Sequence, residues 1–141
     1  MEVLIIIHYA ATLIMTGAIW LAQLSQYPLL AYVGRRNFVR YEHEHIRRIS
    51  DVAWFVIYVE LFTGIGLLLA PAVPRTVSVP GLLLIAFIWA MTWFVQYPLH
   101  IKLAHGFDRT LHRSLVRTNW LRTLAWTARA ALWTLLIAQL I

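Results

Sequence analysis

The chain has 141 residues, 61% of them apolar and 13% charged, with a mean hydropathy of +0.70 and a net charge of +6. Soluble domains carry about 25% charged residues, and a water-exposed fold of this size cannot hide so much apolar surface. An ordinary soluble domain is excluded. So, with no cysteine in the chain, are disulfides, thiolate metal sites and a cysteine nucleophile.

A membrane-spanning helix needs about 20 mostly apolar residues. In chain order, the first such run covers about residues 3–33. It follows Glu2 rather than a basic stretch, outruns a signal-peptide core and ends in Gln26-Tyr27-Pro28 without a small-residue cleavage site, so it is expected to be a retained helix. The second covers about residues 51–70 and stops at Pro71 and Pro74. The third starts near Pro80, a residue favoured in a first helical turn, and runs to about Leu103. The fourth covers about residues 119–141. The expected fold is therefore all-α: one membrane domain, 1–141, folded as a four-helix transmembrane bundle.

Ten of the twelve Lys/Arg lie in two connections, residues 34–51 and 102–122. By the positive-inside rule these connections face the cytoplasm and both termini lie outside, as expected for a bacterial inner-membrane protein. Topology thus accounts for the charge, and no nucleic-acid partner is expected.

The two halves resemble one another. Gln26-Tyr27-Pro28-Leu29 recurs as Gln96-Tyr97-Pro98-Leu99, and Phe38, Arg40, His43 and Arg48 match Phe107, Arg109, His112 and Arg117 at a spacing of 69. This pattern predicts a tandem two-helix repeat, about 1–70 and 78–141, with a pseudo-two-fold along the membrane normal.

Charges inside spans are costly and point to function. Glu60 and Arg129 fall in the second and fourth segments, also 69 apart. Each is on the order of 15–18 Å from the outer end of its helix. They are expected to meet near the midplane, either as a lock between helices or as a polar centre for a substrate or proton. Asn119, Arg122, Trp126, Arg129 and Trp133, at steps of three and four, share one helical face that suits an anionic or planar aromatic guest. His8, Thr12, Thr16, Gln23 and Gln26 form a polar line on the first helix, and Thr92, Gln96 and His100 one on the third. Both lines fit either interhelical hydrogen bonding or a polar-lined pocket.

Two further sites are open on residue type. His43, His45 and His112 are candidate metal ligands, with a Glu-x-x-His step from Glu42 to His45. His8, the only histidine well inside an apolar segment, is a candidate haem ligand.

Val95-Gln96-Tyr97-Pro98-Leu99-His100, followed by Thr118-Asn119-Trp120-Leu121-Arg122-Thr123 and an Ala-rich helix, resembles the anthrone oxygenase-like family of small four-helix membrane proteins. The likeness covers mainly residues 90–140. It implies oxidation of an aromatic or quinol-like compound within the membrane, with Asn119 and Arg122 at the site. In the first half His8, Trp20, Tyr27-Pro28-Leu29-Leu30, Glu42 and Arg47 resemble the haem-carrying membrane protoporphyrinogen oxidases, which implies a haem role for His8. That family carries a lysine early in its third helix; residues 81–98 have none.

Three functions remain open at this level. The first is a membrane oxidoreductase acting on a hydrophobic small molecule. Glu60, Arg129, His8 and Arg122 would be its catalytic groups, and Gln23, Gln26, Gln96, Asn119, Trp126 and Trp133 would bind substrate. The second is a non-catalytic membrane subunit, as a homo-oligomer or in a larger membrane complex. The third is a haem or metal carrier.

Overall fold

The computed structural model describes residues 1–140, with the side chain of Leu140 outside the description. Four helices make up the fold: α1 (Glu2–Tyr32), α2 (Arg35–Leu69), α3 (Arg75–Leu103) and α4 (Arg109–Leu140). The described chain has no strand. Short connections join the helices, so neighbours run antiparallel. Each helix packs chiefly on two others, in the cyclic order α1, α2, α3, α4 and back to α1. The diagonals of this square are α1–α3 and α2–α4.

The helices are longer than their apolar runs. α2 and α4 extend through the basic stretches expected as connections. Local capping explains the early start of α4. The Asp108 Oδ1 accepts the backbone N–H groups of Thr110 and Leu111, each at 2.8 Å, which satisfies donors that a helix N-terminus otherwise leaves open. α3 likewise begins at Arg75, after Pro74, and so holds Pro80 inside the helix rather than in its first turn.

Two π turns interrupt the helices, Ala22–Gln26 in α1 and Thr92–Gln96 in α3. Each ends just before a Tyr-Pro pair. The Tyr27 N–H reaches back five residues to the Ala22 carbonyl, and the Tyr97 N–H does the same to Thr92. The proline ring crowds the carbonyl four residues earlier and offers no N–H, so the helix widens locally instead of continuing its four-residue ladder.

Core and polar layers alternate along the bundle. Ile5, Leu67, Val73, Trp133 and Leu136 pack at the end that carries the N-terminus. Met15, Ile19, Ile57, Ile88 and Trp126 form the middle layer. Leu30, Phe38, Leu103 and Leu115 close the basic end, where Phe38 meets Phe107 edge-on at 5.0 Å. The outside is apolar too: Phe94 is 82% exposed and Leu69 73%. A surface of this kind calls for an apolar solvent.

α1, α2 and α3 are long and apolar enough to cross a membrane. The fourth expected span is not among them: α4 is long enough, and its apolar run carries Arg122 and Arg129.

The turn between α3 and α4 places Gly106 at φ 152°, where a side chain is strained. Gly106→Ala should therefore lower stability by roughly 1–3 kcal/mol, read as an earlier unfolding midpoint in detergent. An unchanged midpoint would count against this turn.

Candidate functional site

Two polar centres lie in the bundle, one on each side of the middle layer. The first is built around the α2–α4 diagonal. The Arg129 Nη1 donates to the Glu60 Oε1 at 2.9 Å, and both residues are essentially inaccessible, at 0% and 1% exposure. The Thr12 hydroxyl donates to the same carboxylate oxygen at 2.5 Å. The Arg129 Nη2 lies 3.2 Å from the His8 Nε2. A guanidinium has only donors, so that nitrogen presents its lone pair. The His8 ring proton then sits on Nδ1 and goes to the Thr63 Oγ1 at 2.8 Å, and the Thr63 hydroxyl donates to the Val59 carbonyl at 2.6 Å. One hydrogen-bond pattern runs from Val59 to Glu60, while the Glu60 Oε2, the Arg129 Nε and the Nε1 atoms of Trp126 and Trp133 are buried without a partner.

Aromatic rings close this centre. The Arg129 guanidinium stands 5.1 Å from the Trp126 ring, and His8 meets Trp133 edge-on at 4.4 Å. Small residues make the fit possible: a Cβ on Gly64 would stand 3.2 Å from the His8 Cε1, and one on Gly81 3.4 Å from the Trp133 Nε1. None of the five cavities described for the chain is lined by His8, Glu60 or Arg129.

The second centre lies toward the basic end. The His100 Nδ1 is 2.6 Å from the Oε1 of fully buried Glu42, and the His100 Nε2 is 3.2 Å from the Tyr27 hydroxyl. With Glu42 ionised, the ring proton is held on Nδ1 and the Nε2 lone pair faces Tyr27. Beside this group the Arg122 Nη1 donates to the Asn119 Oδ1 at 3.2 Å, and the Asn119 Nδ2 donates to the Gln23 Oε1 at 2.9 Å. The Gln23 Nε2 in turn donates to the Val116 carbonyl. The Gln96 Nε2 donates to the Thr118 hydroxyl at 2.8 Å. The Gln96 Oε1, the Glu42 Oε2 and the Arg122 Nε are buried without a partner.

Here a cavity exists. It is small, about 90 Å³, and Tyr27, Thr92, Gln96, His100 and Arg122 supply its polar wall. Trp54 stands on its apolar side, 5.1 Å from Trp93. Trp93 also borders a groove of about 780 Å³ between α2 and α3, walled by Leu61, Ile65, Leu82, Ile85 and Trp89. A polar notch thus adjoins a broad apolar groove.

The expected site residues divide between these centres. Glu60, Arg129, His8, Trp126 and Trp133 belong to the first. Gln96, Arg122, Asn119 and Gln23 belong to the second, where Gln23 is tied to α4. Gln26 joins neither: it borders a separate cavity of about 320 Å³ with Tyr41, Glu44 and His45. Tyr27, Glu42 and His100 join this centre although none was among the expected catalytic or substrate-binding residues; His100 was expected only on the polar line of the third helix, and Glu42 only in the Glu-x-x-His step. The signal was present in Gln96-Tyr97-Pro98-Leu99-His100, which puts a histidine one turn after a buried glutamine.

The three candidate metal ligands are not brought together. His43 is exposed, His45 packs against Tyr27 and His100, and the His112 Nε2 donates to the Tyr27 carbonyl at 2.8 Å. Among the described residues no three of His, Asp and Glu group as metal ligands. Asp108, the one acid near His112, is committed to capping α4. A haem does not fit His8 either. An axial ligand needs a free nitrogen facing space for the macrocycle, and both nitrogens of His8 are engaged within a packed core.

Comparison with family models, curated proteins and solved structures gives no match for the chain. The site is therefore read from its own chemistry.

The diagonal ion pair makes a sharp stability prediction. Arg129→Met alone strands a buried carboxylate and should cost about 3–5 kcal/mol. The double change Glu60→Leu/Arg129→Met should recover most of that loss. Denaturant titration in detergent, followed by tryptophan fluorescence, compares them; a double variant no more stable than the single would show that the pair does not act as a unit.

Proposed function

We propose that this is an integral membrane protein that binds a hydrophobic, ring-bearing small molecule with a phenol- or quinol-like polar end. The carrying observation is the polar notch of Gln96, Tyr27, His100 and Arg122, with its unpartnered atoms, beside the apolar groove of α2 and α3. Ligand pockets typically pair an apolar wall with a few placed polar groups. A notch of about 90 Å³ takes only the polar end, and the body of the guest lies along the groove among Trp89, Trp93 and Leu82.

The chemistry of the notch suits proton removal. With a guest in place, the His100 Nε2 would accept from its phenolic or quinol hydroxyl in place of Tyr27, and Glu42 holds the ring in that orientation. Arg122 carries the positive charge next to the oxygen left behind. In the oxidoreductase form of this reading, the two electrons of a quinol leave to dioxygen or another acceptor. The same substrate class is what the resemblance of residues 90–140 to the anthrone oxygenase-like family implies.

In this reading α4 crosses the membrane with the other three helices. Its interrupting charge, Arg129, is shielded from lipid by the bundle and paired with Glu60. The basic end is cytoplasmic and the termini are outside. The two π turns before the matched Tyr-Pro pairs support the duplication of the helical hairpin.

A second reading, a non-catalytic membrane subunit, is favoured by the first polar centre, where an ion pair ties α2 to α4 and none of the described cavities reaches it. Titration with a short-tailed naphthoquinone, read by quenching of Trp54 and its neighbours, separates the two. Saturable quenching is expected, weakened about tenfold or more in Gln96→Leu and in His100→Ala, in line with loss of one or two hydrogen bonds. Linear quenching that is identical in all three proteins would favour the subunit reading.

A further inference from the structure

The basic end of the bundle carries a second feature that the small-molecule reading does not use. Between the end of α1 and the start of α4 lies a groove of about 580 Å³, bordered by Tyr32, Arg109, His112, Arg113, Arg117 and Trp120. The three arginines are exposed and recur at every fourth residue, so they line one face of α4. None of them pairs with an acid among the described residues, whereas Arg47 and Arg48 on α2 share Glu44. The acid nearest in sequence, Asp108, accepts backbone N–H groups of α4. The His112 Nε2 donates to the Tyr27 carbonyl.

The same face changes character along the helix. After Arg113 and Arg117 come Trp120 and then Leu124, at steps of three and four, and Leu124 is 57% exposed. Cationic, then aromatic, then aliphatic is the order a phospholipid meets from headgroup to chain. Basic pockets beside transmembrane helices recognise anionic headgroups through this charge match, and guanidinium forks bind phosphate bidentately.

From these observations we infer that the α1–α4 groove is a binding site for one anionic glycerophospholipid. Arg109, Arg113 and Arg117 grip the phosphate and headgroup, Tyr32 and Trp120 flank the glycerol region, and a chain runs past Leu124.

The test uses the full chain purified in neutral detergent and mixed with phosphatidylglycerol or phosphatidylcholine. Native mass spectrometry counts the retained lipid. One phosphatidylglycerol should be retained in preference to phosphatidylcholine on the native chain, and equal retention of the two overturns the site. Arg113→Gln/Arg117→Gln should weaken retention by an order of magnitude or more. Arg36→Gln/Arg40→Gln removes the same charge outside the groove and should leave it intact; equal losses from both pairs would mean diffuse attraction and overturn the site. Millimolar inorganic phosphate should compete weakly. If it displaces the lipid completely, the groove is a free-phosphate site and the lipid assignment fails. Should the glutamine pair not fold, Arg117→Gln alone is measured the same way, and undiminished retention overturns the proposal.

Discussion

The bundle is organised around an arginine and a glutamate that meet across its diagonal. Neither α2 nor α4 can turn that face outward without carrying an ion into an apolar surface, and the desolvation cost of an isolated charge there is several kcal/mol. The pair is a constraint on arrangement more than a source of stability. It sets which faces of two non-adjacent helices look at each other. α1 and α3 then occupy the remaining corners of the square. Thr12 and His8 add hydrogen bonds from α1, and the absence of side chains at Gly64 and Gly81 lets His8 and Trp133 approach.

The two polar centres differ in one respect that bears on function. Both hold buried polar atoms without partners, among them the Glu60 Oε2 and Arg129 Nε in the first and the Gln96 Oε1 and Arg122 Nε in the second. Around Glu60 and Arg129 the rings of Trp126 and Trp133 fill the space, whereas beside His100 and Arg122 a cavity is left. Buried polar atoms without partners are expensive in a fold. Where they gather at the wall of a cavity, they are the atoms that a guest would satisfy. The notch therefore supports the small-molecule reading, and the filled centre supports a structural role for the Glu60–Arg129 pair.

The π turns connect chain chemistry to this division. Widening α1 just before Tyr27-Pro28, and α3 just before Tyr97-Pro98, rotates the later part of each helix relative to the earlier part. Tyr27 and His100 both come after such a turn, and they meet each other at 3.2 Å. Proline thus helps to set the bearing of the groups that line the notch.

Sequence by itself determined the apolar helical character, the concentration of positive charge in two stretches, and the placing of Glu60 and Arg129 within apolar helical runs. These depend on composition and on positions along a helix of fixed rise, which the chain carries locally. Helix limits were partly hidden. Arg-rich stretches read as connections, yet Asp108 caps α4 well before its apolar run begins. Tertiary structure alone decided which polar residues face each other. The pairing of Glu42 with His100, 58 positions apart, and the separation of His43, His45 and His112 come from how four helices rotate to bury their charges. No spacing along one helix records that rotation, because it is the neighbours that set it.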